Sequence, residues 1–461
     1  MRFDSERAAI RFGCGLSPTI APPASTADML ARLSGPDRAA EAFPVPGFKV
    51  AVTHRREIQA LRQAYRNTRD EAEREALQGE LRRAARSTFR AGLGWLGQTL
   101  LRRALTGDGF RERLAAFWTD HFTAADPRNL MRHSYATYTE EAIRPHLAGR
   151  FSDMLRAAVT HPLMISYLDQ RLSSGPNSLR AQRAKRGVGL NENLARELLE
   201  LHTLGADGPY TQDDVRQLAE LLTGLTYSDR HGVRFLGGWA EPGAETVLGR
   251  QYGGDPARLE DIHEVLDDLA RHPATAAHLA RKLAVHFVSD APTDALVGDM
   301  AARYRETGGD LVAVYAVLLD HPDAWSARPG NVKPPLDFVG STLRALDIVP
   351  QHVPSGSIRK MRNLFLDPLE LMGQSWGRPT GPDGWPESDA EWITPQRLAA
   401  RLQWGMTAPF RLRRVLPDPR EFVETALGGV ASDSVRRAAR GAETRAEGIG
   451  LVLASPEFQR M

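Results

Sequence analysis

The densest grouping of ionisable and amide side chains on an apolar-patterned stretch is NENLARELLELHTLG, residues 191–205. At helical spacing Asn193, Arg196, Glu197 and Glu200 fall at i, i+3, i+4 and i+7 and share a face, while Leu194, Ala195, Leu198, Leu199 and Leu201 form an apolar stripe. Three chemistries are open to the polar face. A bundle metal site would draw on Glu197 and Glu200, but such sites use Glu-x-x-His, and His202 stands two residues after Glu200, so His121 of FWTDHFT would have to supply an imidazole from another helix. General acid/base catalysis would use a glutamate whose pKa is raised by burial, with Arg196 as an anion clamp. A structural network needs nothing further: Arg196 is four residues from both Glu192 and Glu200, and Asn193 four from Glu197. The candidate catalytic residues are therefore Glu197, Glu200, Arg196 and His121, with Asn193 and His202 as binding candidates.

Two loops bear on this stretch. RLSSGPNSLRAQRAKR, residues 171–186, holds five basic side chains and no acidic one, so Arg180, Arg183 and Arg186 are candidates for anion binding or for a lid, against a plain solvated loop. MGQSWGRPTGPDGWPESDAEWITP, residues 372–395, carries Trp376, Trp385 and Trp392, with Trp404 following. Loop tryptophans can stack a ring ligand, for which Trp385 is the candidate, or fill irregular core.

The positioning elements read as helices. Asn191 is an N-cap candidate and Gly205 a left-handed stop, after which the Thr211/Asp214 capping box predicts a helix folding back on the first. Helices are expected from Thr26 to Leu33, Thr53 to Thr88 with interleaved Arg and Glu, Ser134 to Leu147, Phe151 to Val159, Leu259 through His286 and Thr293 through Leu319, with a break at Asp126-Pro127. Between 225 and 252, LTYSD, GVRFL and ETVLGRQY are short, β-prone and separated by turn residues, which predicts a hairpin or three-stranded sheet. Thr160-His161-Pro162, Arg271-His272-Pro273, Asp320-His321-Pro322 and Ala454-Ser455-Pro456 each close an apolar helix before a proline, a recurrent helix-to-helix joint. The expected fold is mainly α, a bundle-like single unit with a small antiparallel β insertion. Residues 1–52 are expected as N-terminal helices and linker, 53–110 as a charged helical arm and 111–461 as the main domain.

Composition bounds the rest. In 461 residues, 42% are hydrophobic and 25% charged, as in a globular protein, and the net charge of +2 gives no global field for nucleic acid. The one cysteine, Cys14, excludes an internal disulfide and any multi-thiolate metal site. LVAVYAVLL, residues 311–319, is too short to span a bilayer, and the charged N-terminal residues lack the apolar core of a secretory signal, so a cytoplasmic protein is expected. No G-x-S-x-G, phosphate-loop or dinucleotide fingerprint occurs, and no cofactor is specified.

NENLARELLELHTLG followed by YTQDDVRQLAELLTGL resembles the central signature of the bacterial domain of unknown function 1800 family. RFGCGLSP, FWTDHFT, EEAIRPHLAGRF, YLDQRLSSGPNS, PGAETVLG, RHPATAAHLARKLAVHFVSDAP, KPPLDFV, the GPDGWP loop and SPEFQRM resemble it in the same order, over nearly the whole chain. The resemblance implies no established activity. It implies one partner, a sulfatase-like protein encoded nearby. Relatives commonly carry HEPGxKTVLG where this chain has Ala240-Glu241-Pro242-Gly243 and Glu245, so a family site built on that histidine would be altered here.

Overall fold

The structure, a computed structural model, describes residues 3–125, 134–184, 189–326 and 330–461. The expected break at Asp126-Pro127 and the candidate Arg186 lie outside the described residues. The chain is mainly helical, with two small antiparallel hairpins inserted between residues 225 and 254. Among the described residues, no helix is long and apolar enough to cross a membrane.

The charged segment read as one helix from Thr53 to Thr88 is two helices, Phe48–Asn67 and Glu71–Leu105, packed on each other. The break is local chemistry: Asp70 Oδ1 accepts the N–H groups of Ala72 (2.9 Å) and Glu73 (3.3 Å), which restarts the helix after Thr68. The second helix then runs unbroken into the apolar stretch that begins at Trp95, burying Leu93, Leu96, Leu100 and Leu101.

The joints before proline have a common cap. At His161, His272 and His321 the ring Nδ1 accepts the N–H two residues on, at 3.1, 3.1 and 3.2 Å, and proline takes the first helical position. Ser455 Oγ caps the fourth joint by accepting the N–H three residues on, that of Phe458, at 3.3 Å. An imidazole can cap only through a bare nitrogen, so these histidines must be neutral there. Each cap contributes about 1 kcal/mol by analogy with Ser and Asp caps.

In the β insertion, Leu225–Ser228 pairs with Gly232–Phe235, and Gly243–Val247 with Arg250–Gly254. ETVLGRQY, expected as one strand, thus folds into two. Leu248 and Gly249 both take positive φ, 51° and 77°, the mirror-image turn that matches the twist of a hairpin, and Leu248 N is held by Asp214 Oδ1 at 2.7 Å. A leucine hides that turn from a reader looking for Asn-Gly or Asp-Gly.

Among the described residues, two large apolar clusters and a small third one fill the interior. One large cluster gathers Phe12, Phe110, Trp118, Phe151, Leu199, Phe287 and Tyr315; the other gathers Leu96, Phe338, Phe365, Trp404, Phe422 and Phe458. A buried ionic line crosses between their elements. Asp337 sits 3.3 Å from the guanidinium nitrogens of both Arg103 and Arg113, and the three side chains are 9%, 3% and 1% exposed. Arg113 in turn reaches His286 Nε2 at 3.2 Å, and His286 Nδ1 lies 2.9 Å from Glu387 on the 372–395 loop.

Candidate functional site

The signature stretch forms a helix Asn193–Glu197 that widens into a π-turn over Leu198–His202. Asn191 Oδ1 accepts Asn193 N at 2.8 Å, and Gly205 ends the segment at φ 90°. The wider turn, a geometry that recurs at functional sites, carries the Leu204 N–H back to Leu199 O and rotates His202 into the core, where it is 1% exposed.

The polar face is partly a network. Arg196 pairs with Glu192 at 3.3 Å and Glu200 at 3.2 Å, and the return helix Gln212–Leu221 joins it through Gln212, which bonds both Arg196 and Glu192 at 3.0 Å. These groups are about a third exposed, so each ion pair contributes about 0.5 kcal/mol or less. Asn193 is exposed. Glu197 points elsewhere: burial, then Glu200 and Asp383, raise its carboxyl above the ordinary range.

The helix Gly109–His121 brings Asp120 and His121 to this end of the molecule. His121 is 2% exposed, its Nε2 3.2 Å from His202 O, packed among Phe117, Trp118, Phe122 and Phe151. No hydrogen bond or ion pair joins it to Glu197 or Glu200 among the described residues. His202 and His278 lie beside it, ring centroids 6.1 and 6.2 Å away. Burial, then the charge of Lys282, lowers all three imidazoles, His202 to about 3 and His278 to about 4. They are neutral at physiological pH. Among the described residues, neither ring nitrogen of His202 has a hydrogen-bond partner, nor has His121 Nδ1. Among the described residues, no three His, Cys, Asp or Glu side chains converge as metal ligands do.

Sequence reasoning passed over Asp120, and the structure makes it central. Its Oδ1 accepts Trp385 N at 2.9 Å, which ties the GPDGWPE loop to the helix. The loop can come this close because residue 384 is glycine: it sits at φ 80°, and a Cβ there would lie 2.7–2.8 Å from the Asp120 carboxylate. Burial and then Glu387 push the Asp120 carboxyl up to about 8. Glu387 moves the other way. Burial would raise it, but its contact with His286, with Lys282 and Arg113 beyond, holds it below the ordinary carboxylate range. Because Arg113 only donates, His286 Nε2 must accept, which leaves Nδ1–H to donate to Glu387. Glu387 keeps 28% of its side chain exposed, and Asp383 is exposed nearby. Lys282 forms no hydrogen bond or ion pair among the described residues.

Trp376, Trp392 and Trp404 are buried, and Trp385 is the half-buried member of the four. The described part of the basic loop is anchored at Arg180 and Asn177. Arg180 stacks over Trp239 at 3.4 Å from the ring centroid, and Glu241 accepts Asn177 N at 2.9 Å and Nδ2 at 2.5 Å. Arg183 is exposed. Ala240 is buried beside this anchor, and Glu245 contacts Glu220, where burial and then that second carboxylate push it up to about 7. Grooves of 630 Å³, by Asp37 and Arg111, and of 940 Å³, by Arg359 and Arg414, open elsewhere, so chemistry rather than volume marks the site.

The candidate site therefore groups Asp120, Glu387 and Asp383, with Lys282 and three neutral histidines within electrostatic reach, and Asp383 is its link to Glu197. No curated protein and no solved structure matches the chain. The family model described as protein of unknown function (DUF1800) matches residues 8–460, nearly the full length, and the chain belongs to that family.

Proposed function

We propose that this is a binding protein that acts with a partner, and that the polar cleft over helix 193–202 receives a cationic group, an ammonium or guanidinium. The observation that carries the reading is the Asp120 carboxyl, tied to Trp385 N at 2.9 Å, which burial and then the neighbouring Glu387 shift towards its protonated form. Two adjacent carboxylates resist ionising together, and an incoming cation removes that resistance. Glu197 and Asp383 extend the acidic surface on which such a group would land. The partner proposed is the sulfatase-like protein encoded nearby, and neither nucleic acid nor a membrane is among the proposed ligands. The compartment proposed is the cytoplasm of a bacterial cell.

Co-purification from cells that express both proteins tests the partnership. The tagged chain should retain the sulfatase-like protein, and the double variant Asp120→Asn, Glu197→Gln should lose it. Equal recovery with both forms, or recovery with neither, would count against the reading.

A second reading rests on the same pair. Carboxyls whose environments drive their pKa values apart are suited to be general acid and general base, here Asp120 and Glu387, with Glu197 beside them. In that reading Arg196 and Glu200 brace the helix and His121 shapes the floor.

A further inference from the structure

We propose that the groove between the helix Ile358–Met361 and the end of the helix Pro395–Leu412 docks an acidic, apolar-studded segment of a partner protein. This surface is separate from the Asp120 site and does not rest on the reading given for it.

The groove has a volume of 940 Å³, and its walls carry Arg359, Lys360, Arg411, Arg413 and Arg414 against one carboxylate, Asp347. The charges are not consumed internally. Arg413 donates to Leu346 O at 2.7 Å, but Arg359, Lys360, Arg411 and Arg414 are exposed and their side chains form no hydrogen bond or ion pair among the described residues. Asp347 is already engaged, accepting the Thr19 hydroxyl at 3.0 Å. In a chain with 59 basic and 57 acidic residues, four unanswered cations on facing walls depart from the balance elsewhere, where arginines such as Arg362, Arg436 and Arg250 have carboxylate partners. Solvated surface charge alone does not explain the apolar residues among them. Val415 is 74% exposed and Val349 38%, both lining the groove, and Phe410, 58% exposed, precedes Arg411 on its helix.

Those two features select the occupant. Cations on both walls recognise carboxylates along a chain and raise the encounter rate with an acidic partner. The exposed Val349 and Val415 side chains between them favour a segment that also offers apolar side chains, and they give its acidic residues a register. A nucleic acid would satisfy the charges but leave Val349 and Val415 without apolar partners, and no Trp or Tyr lines the groove to stack a base.

Fluorescence anisotropy on the full chain tests this with three labelled probes. One is a peptide of Asp and Glu with Phe and Leu interspersed, the second the same peptide with Lys in place of the acids, and the third a single-stranded oligonucleotide. The acidic peptide should bind, the lysine peptide should not, and added salt should weaken the complex. Arg411→Glu with Arg414→Glu on one wall, or Arg359→Glu with Lys360→Glu on the other, should each weaken binding about tenfold or more. The four side chains are exposed, so both double variants should fold, and should one fail the other decides. No binding of the acidic peptide at low salt, unchanged affinity after charge reversal, or tighter capture of the oligonucleotide would each overturn the proposal.

Discussion

Replacing Asp337 by alanine should destabilise the protein by about 3–5 kcal/mol, the range for breaking a buried ion pair by deleting one partner. The size follows from what is left behind. Arg103 and Arg113 are 3% and 1% exposed, and Asp337 lies 3.3 Å from each. Remove it and two guanidiniums remain in the interior, with Glu112, 4.0 Å from Arg103, as the nearest compensation. Lys333 adds to the strain, since burial lowers its amine to about 7 and Asp337 is the charge that supports its protonated form. The effect should also travel, because Arg113 holds His286 in the tautomer that donates to Glu387. Chemical denaturation measures the first part, and the pH titration of Glu387 in the variant measures the second. A loss below about 1 kcal/mol would mean that the line is solvated and does not brace the molecule.

Replacing His202 by leucine should act in the opposite direction. Both ring nitrogens of His202 are buried without a partner among the described residues, a burden that leucine lacks at similar volume, so the variant should gain about 1–2 kcal/mol at pH 7. The gain should grow in acid. His202 is lowered to about 3 in the folded chain, so below pH 6.5 the unfolded chain takes up a proton that the folded chain refuses until about pH 3. Its contribution is complete above pH 6.5 and is lost as pH falls towards 3, by about 1.4 kcal/mol per pH step. At pH 4.5 the variant should therefore lead the parent by about 3 kcal/mol more than at pH 7. Asp120 and Glu245, raised to about 8 and about 7, oppose this trend because folding favours their protonated forms. They titrate in both proteins, so the difference between parent and variant isolates His202. Denaturation midpoints between pH 4.5 and 7 give the answer, and a leucine variant weaker than the parent at both ends would show that the imidazole is satisfied by buried water.

How much of this was legible in the sequence depends on distance along the chain. The capping box at Thr211 and Asp214, the stop at Gly205 and the pairing of Arg196 with Glu192 and Glu200 are local, and each stands as the spacing predicts. The mainly helical class follows from periodicity in the same way. The break at Asp70 and the turn at Leu248-Gly249 were missed for a related reason: one is a cap inside a continuous charge pattern, the other a turn without its usual residue. Among the Pro joints, the sequence showed the motif but not why histidine serves in it, since that needs the direction of Nδ1.

The site was the hardest part. Glu197 was visible because its helix is, whereas Asp120, Lys282 and Glu387 come together from separate segments that periodicity cannot join, and only Asp383 reaches Glu197 from among them. One signal was available: FWTDHFT puts an aspartate next to the histidine chosen as a candidate. Helical geometry turns such neighbours about 100° apart, so with His121 in the core Asp120 faces another way, under the 372–395 loop that it holds through Trp385 N. The π-turn at 198–202 further uncoupled His202 from the face that simple 3.6-residue spacing assigns.

The central claim is that the Asp120 site accepts a cation, and its most direct test is calorimetric titration with a short arginine-containing peptide at pH 7.5 in two buffers of different ionisation enthalpy. Binding should be accompanied by release of up to about 0.8 proton, because a cation beside Glu387 lowers the carboxyl that burial holds at about 8, and Asp120→Asn should abolish the release. Binding without proton release, release that persists in Asp120→Asn, or no binding to the parent protein would contradict it.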